Sequence, residues 1–189
     1  MFDVIIIGGG PAGGSAALFT SKAGKKTLVI DGNQSVTKRA WLDNHYGVNG
    51  ISGPDLVETG KLQAEKFGAE WVVDTVTTIE TISGKHIVQT ESGQTYEATH
   101  VVLATGMSVQ LAEKIGVTVI DGTEPRIKNI IKVDQQGKTN IDGIWAAGTV
   151  AGVSMHTIIT AGDGAKVAIN IISELNGERY VDHDVLKTK

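Results

Sequence analysis

Apolar positions follow three rhythms along this chain, and each predicts a different kind of element. Phe2-Asp3-Val4-Ile5-Ile6-Ile7 is a β-branched apolar run with no in/out alternation, the mark of a strand buried on both faces of a parallel sheet. Thr27-Leu28-Val29-Ile30, His100-Val101-Val102-Leu103-Ala104 and the stretch from Ile141 to Gly148 read the same way. Helical spacing appears twice. From Ile51-Ser52-Gly53-Pro54-Asp55-Leu56, with Ser52 as N-cap and Pro54 in the first turn, a helix should run to about Phe67 and stop at Gly68. Leu56, Val57, Leu62, Ala64 and Phe67 would form its buried stripe. A second helix should begin near Thr157 and end at Asn176-Gly177. Short β-rich runs lie between: Trp71-Val72-Val73, Val76 to Ile79, His86 to Gln89 and Thr95 to Glu97, broken at Ser83-Gly84-Lys85 and Ser92-Gly93-Gln94. Turn-punctuated runs of this kind predict a small antiparallel meander inserted between parallel strands. From Met107 to Asn140 the only clear strand candidate is Ile127 to Val133. The fold class is α/β.

The first strand empties into Gly8-Gly9-Gly10-Pro11-Ala12-Gly13, followed by a helix face of small residues, Gly14 to Thr20. This G-x-G-x-x-G spacing has a mechanical reading. Gly8 permits the tight turn, Gly10 lets a pyrophosphate approach the backbone, and Gly13 lets the helix sit against the sheet. Free N–H groups at the helix start then face the phosphates. Asp31 closes the second strand eighteen residues after Gly13, placed to accept hydrogen bonds from ribose hydroxyls. A glycine fingerprint alone is weak, because such turns also serve packing. Strand, helix, second strand and terminal acid in order make a nucleotide site, and this unit fits NAD as well as FAD.

Composition narrows the picture. At 189 residues the chain can bury one full core, so residues 1–189 are expected to form a single domain. The net charge of -4, with no stretch of concentrated Lys and Arg, argues against nucleic acid or an anionic membrane as partner. Lys22, Lys25 and Lys26 read as the solvated end of a helix and its loop. A strand begins almost at once, leaving no signal-peptide layout, and no apolar run approaches a bilayer span, so a cytoplasmic address is expected. The sequence contains no cysteine, which removes disulfides, thiolate metal sites and a Cys nucleophile from this chain. His45, His86, His100 and His183 share no metal-ligand spacing, and no metal site is expected. Trp41, Trp71 and Trp145 read as core or cofactor-flanking residues.

Four segments, Asp3 to Gly13, Asn44 to Leu56, Val101 to Gly106 and Ile144 to Gly164, together resemble the FAD-binding domain of the thioredoxin reductase family. The resemblance implies a three-layer Rossmann-like FAD fold in which the first and last segments hold FAD. The family's NADPH domain, which needs roughly 100 residues or more, has no room here. Residues 1–106 and 126–189 correspond to the two FAD-holding halves, joined by 107–125 in its place. The implied cofactor contacts are Gly8, Gly10, Pro11, Ala12 and Gly13 at the pyrophosphate, and Asp31 and Gly32 at the ribose, where the family usually has Glu. Val76 stands where the family's meander meets adenine, although a β-branched residue there is equally ordinary core. Asn44 matches the Asn of Glu-Asn-Phe-Pro-Gly beside the isoalloxazine, within an altered Asp43-Asn44-His45-Tyr46-Gly47. Ala104, Thr105 and Gly106 match Ala-Thr-Gly. The family's Ala-Ala-Gly-Asp becomes Ala146-Ala147-Gly148-Thr149, so a hydroxyl replaces a carboxylate and weaker FAD affinity is expected. His156 stands where the family often has Gln. Two readings of it carry equal weight: a protonatable group tuning the flavin, or a surface histidine. Backbone N–H groups of His156, Thr157 and Ile158, at a helix start aimed at flavin N1 and the C2 carbonyl, would stabilise negative charge on reduction.

The resemblance implies a flavin-dependent oxidoreductase or electron-transfer module. Its donor would be NAD(P)H or a redox protein, its chemistry free of dithiols, and its open flavin face covered by a homodimer or partner. No side chain is assigned as catalytic. A non-enzymatic FAD-binding redox sensor or scaffold is the alternative, and NAD binding without flavin ranks third.

Overall fold

The computed structural model describes residues 1–186. In chain order its elements are β1 (Phe2–Ile7), α1 (Pro11–Lys22), β2 (Thr27–Asp31), β3 (Trp41–Leu42), β4 (Ile51–Ser52), α2 (Gly53–Lys66), β5 (Glu70–Val73), β6 (Val76–Ile82), β7 (Lys85–Thr90) and β8 (Thr95–Leu103). There follow α3 (Gln110–Lys114), β9 (Val119–Asp121), β10 (Asn129–Ile131), β11 (Ile144–Ala146) and α4 (Thr157–Asn176). The last three positions of the 126–189 stretch lie outside the described residues.

A seven-stranded sheet runs β5-β2-β1-β8-β7-β6, with β11 also on β8. β5, β2, β1, β8 and β11 are parallel neighbours, whereas β6, β7 and β8 form the antiparallel meander. The unbroken apolar runs are buried on both faces as expected for strands covered by two layers. One face packs Ile5, Ile7, Val101 and Leu103 against Ile79 and Val88 of the meander and Ala112 of α3. The other packs Val4, Ile6, Val102 and Trp145 against Ala16 and Ala17 of α1, Ala64 of α2, and Val167 and Ile171 of α4. The architecture is thus the three-layer Rossmann-like fold.

Several elements differ from expectation. Trp71-Val72-Val73 is not part of the meander: it pairs parallel to β2 as the sheet edge, Val29 facing Trp71. Thr95 to Glu97 and His100 to Ala104 are one continuous strand rather than two. Between Met107 and Asn140 the chain forms α3 and a β9–β10 hairpin as well, and Ile127–Val133 contributes only Asn129–Ile131 as strand. The hairpin β3–β4 has only two residues in each strand, too short for a periodicity signal. α2 begins and ends where its caps dictate, the Ser52 hydroxyl accepting the Asp55 N–H at 3.2 Å. Its apolar stripe is buried only in part, however: Ala64 is buried and Leu56 and Val57 are half-buried. Leu62 and Phe67 are exposed, because the helix meets α1 through Ala64, whose carbonyl accepts the Ser21 hydroxyl. Trp145 is buried but Trp41 is exposed. Lys22 is not simply solvated: it pairs with Asp182 at 2.9 Å and Asp184 at 2.8 Å, tying the C-terminal segment to the end of α1.

Candidate dinucleotide-binding site

The glycine turn sits at the C-terminal ends of β1 and β8. Gly8 adopts φ +104°, and a Cβ there would overlap the Ala104 carbonyl at the end of β8. A Cβ at Gly13 would overlap the Gly8 carbonyl, so α1 lies directly against the turn. These two contacts bring a helix start and two strand ends to one point. The N–H groups of Gly10 and Ala12 find no acceptor among the described residues, and both residues line a cleft of about 490 Å³. Among the described residues, a Cβ at Gly10 would meet only the Ser35 side chain within 4 Å, with Oγ at 3.0 Å. The volume lies within the usual range for a small-molecule site.

At one end the cleft is lined by Asp31, Gly32, Ser35, Asp74, Thr75 and Val76. Asp31 is buried, and its Oδ1 accepts the Gly9 N–H at 3.1 Å and the Asn33 N–H at 3.0 Å. No protein donor reaches Oδ2 among the described residues, so one carboxylate oxygen is fixed and the other is left without a protein partner. The Asp74 carboxyl is held below the usual carboxylate range by the Ser92 hydroxyl that donates to it at 2.5 Å. The β6–β7 ladder slips between Val76 and Thr78, a bulge facing the same end of the cleft. Lys114, the only Lys or Arg in the lining among the described residues, donates from Nζ to the Thr77 carbonyl at 2.8 Å. Towards the other end lie Ala104, Thr105, Gly106, Met107, Ala147, Thr149, Met155 and Thr160.

Eleven of the sequence candidates therefore share this cleft: Gly8, Gly10, Pro11, Ala12, Asp31, Gly32, Val76, Ala104, Thr105, Gly106 and Thr149. Six do not line it. Gly13 is a packing position against the Gly8 carbonyl. Gly148 has its N–H taken by Asp163 Oδ2 at 2.8 Å. Asn44 is exposed on the loop after β3. His156 is exposed and bonded through Nδ1 to Ser154 Oγ at 2.8 Å. Thr157 is buried with its hydroxyl on His45, and Ile158 is exposed. The N–H groups of His156, Thr157 and Ile158 nevertheless have no acceptor among the described residues, so the start of α4 is an open donor set.

Sequence reasoning missed Ser35, Asp74, Lys114, Met155 and Thr160 in the lining, and Asp163 behind it. Asp163 left a trace. Ala161-Gly162-Asp163-Gly164 places an acid between two glycines inside a helix, a pattern unsuited to helix formation unless close packing demands it. A Cβ at Gly164 would indeed overlap the Ala12 carbonyl of α1.

A largely parallel sheet with α1, α2 and α4 on one face and the meander with the short α3 on the other, its first strand ending in a glycine turn over a cleft, defines the class as a Rossmann-like FAD-binding fold. The sequence model of the pyridine nucleotide-disulphide oxidoreductases matches residues 2–127 and again 65–165, and the chain belongs to that family. Thioredoxin reductase of Listeria innocua is 41% identical over 111 residues, covering 56% of this chain and 34% of that protein. The Aquifex aeolicus thioredoxin reductase is 39% identical over 112 residues, again 56% of this chain and 34% of the relative. The matches span about a third of the length of these relatives. Among solved structures, the atypical thioredoxin reductase TRi of Desulfovibrio vulgaris Hildenborough superimposes with a TM-score of 0.82 at 21% identity, over 94% of this chain and 99% of that one. A thioredoxin reductase from Gloeobacter violaceus gives 0.80 at 19%, over 98% of both. At such identities the likeness is one of fold.

Proposed function

We propose that this chain binds FAD non-covalently and serves as an oxidoreductase or electron-transfer module, taking electrons from NAD(P)H or from a redox protein. The observation that carries the reading is the pair of unpartnered N–H groups at Gly10 and Ala12, facing a cleft that runs from Asp31 to Thr149. Backbone donors at a helix start suit a pyrophosphate, and the free Asp31 oxygen suits the adenosine ribose. Thr149 offers a hydroxyl rather than a carboxylate to the ribityl region, which weakens the grip without abolishing it. The open N–H groups of Thr157 and Ile158 would stabilise negative charge at the flavin N1 and C2 edge. Bound FAD would supply two-electron transfer between donor and acceptor. Because this chain carries no cysteine, electrons would leave by a route other than a dithiol of its own. Trp41, Tyr46, Met155, Ile158 and Ile159 are exposed apolar side chains on β3, the loop after it, the turn before α4 and the start of α4, and a second copy or a redox partner would cover them.

The test is an absorption spectrum of purified protein, supplemented with FAD if colourless, followed by stopped-flow mixing with NADH and NADPH. A flavin spectrum with rapid bleaching by either nucleotide is expected if the nucleotide is the donor, and a flavin spectrum without bleaching moves the donor to a protein. Failure to bind added FAD alongside clear NAD binding overturns the reading.

A further inference from the structure

The loop 43–50 joins β3 to β4 and contains no regular structure. Its internal bonds are local: Trp41 Nε1 donates to Asp43 Oδ1 at 3.1 Å, and the Val48 N–H donates to the His45 carbonyl at 3.1 Å. Asn44 is exposed, and Tyr46 is 91% exposed. Among the described residues, one hydrogen bond links this loop to a distant part of the chain, from His45 Nδ1 to Thr157 Oγ1 at 2.9 Å across 112 positions. The partner is not arbitrary. Thr157 is the buried first residue of α4, and its own N–H and that of Ile158 are unpartnered. The imidazole thus docks beside the open donor set at that helix start, while Asp43, Asn44, Tyr46, Gly47 and Asn49 stay exposed.

We infer that His45 and Thr157 form a latch holding loop 43–50 across the α4 end of the site, with His45 as a positioning residue for the flavin end of the cofactor. The inference rests on the FAD reading above. A loop with hairpin strands of two residues each has little stability of its own, so a single side-chain bond decides where it rests. With the bond made, the loop shields the cofactor edge nearest α4 and slows its escape. With the bond broken, the same loop swings free and the edge opens to solvent. The latch acts on residence of the cofactor and on access to it, not on the pyrophosphate grip at the other helix start.

Four variants test this: His45→Phe and Thr157→Val, which remove either half of the bond at similar volume, their combination, and His45→Gln, which keeps a side-chain hydrogen-bonding group. Two quantities are read: the rate of FAD release followed by recovery of flavin fluorescence, and the rate of chymotrypsin cleavage after Tyr46 without FAD. Each single variant should release FAD about fivefold faster, the effect of one side-chain hydrogen bond, and should be cut faster at Tyr46. The double variant should be no worse than either single one, and His45→Gln should stay within about twofold of wild type. Wild-type release and cleavage in both single variants overturn the latch, as does a lowered Tm with neither rate changed, which marks a packing role only. Additive effects in the double variant overturn the pairing. If wild-type protein binds no FAD the cofactor reading fails, and cleavage at Tyr46 still reports separately whether the loop is latched.

Discussion

His86 and His100 are 1% and 5% exposed, and burial pushes both imidazoles below their ordinary value of 6.5. His100 Nδ1 accepts the Trp145 indole N–H at 3.1 Å, so its proton must sit on Nε2. Protonating Nδ1 would set two donors against each other and leave a buried indole N–H without an acceptor. Asp142 and Glu174 favour the charged ring and Lys138 opposes it, but desolvation is the largest influence. His86, bonded through Nδ1 to Thr81 Oγ1 at 3.0 Å, is disfavoured further by His100. The sign follows from linkage. The unfolded chain takes up protons first as pH falls through 6.5, so the folded state is stabilised above that value and loses stability below it. Between pH 7.5 and 5.5 each histidine can remove at most about 1.4 kcal/mol, and the pair about 3 kcal/mol. Urea unfolding of cofactor-free protein, followed by circular dichroism at the two pH values, measures the loss. His100→Gln keeps an acceptor for Trp145 and should remove about half of it. An unfolding free energy equal at both pH values, or a full pH dependence surviving in His100→Gln, would refute the reasoning.

Three further outcomes follow from the geometry. Gly10→Val fills the open space beside the Gly10 and Ala12 donors and should abolish FAD binding by equilibrium titration while leaving a folded circular dichroism spectrum; unchanged affinity would place the phosphates elsewhere. Asp163→Ala leaves the buried Gly148 N–H without its acceptor and should cost about 1–3 kcal/mol in urea unfolding, with weaker FAD binding as the Ala147–Thr149 turn loosens. Ser52→Ala removes the N-cap of α2 and should cost about 1 kcal/mol, read in the same assay, with FAD affinity unaffected because α2 does not line the cleft.

What the sequence made legible was local. The two-faced apolar run, the glycine turn, the first turn of α1 and Asp31 are adjacent in the chain and constrain one another, so their spacing alone predicts β1, α1, β2 and the centre of the cleft. Ser52 with Asp55, and Asn176 with Gly177, mark helix ends by chemistry that acts within one turn. The rest depends on partners far apart. Trp71-Val72-Val73 is an apolar run of the right kind, but nothing within it says that it pairs with β2 rather than β6. Leu62 and Phe67 satisfy a helical stripe, yet the neighbouring layer closes through alanines before reaching them. Ser35, Asp74 and Lys114 are single polar residues in separate stretches of the chain, and only the folded chain brings them to one cleft. His45 has no metal-ligand spacing in the sequence, and its bond to Thr157 spans a distance that no spacing rule covers.

Strand β8 has a double membership with a mechanical consequence. Ala98 faces both Phe2 of β1 and His86 of β7, and further along Val101 to Leu103 face β1 on one side and β11 on the other. Its nine residues make a beam about 30 Å long. Because side chains alternate, a single residue inserted between Ala98 and Val101 would turn Val101 and Leu103 from the meander layer to the helical layer. Loops 83–84 and 92–94 can absorb changes of length without such damage, so evolutionary or engineered insertions should be tolerated at those hairpin tips and rejected along the beam.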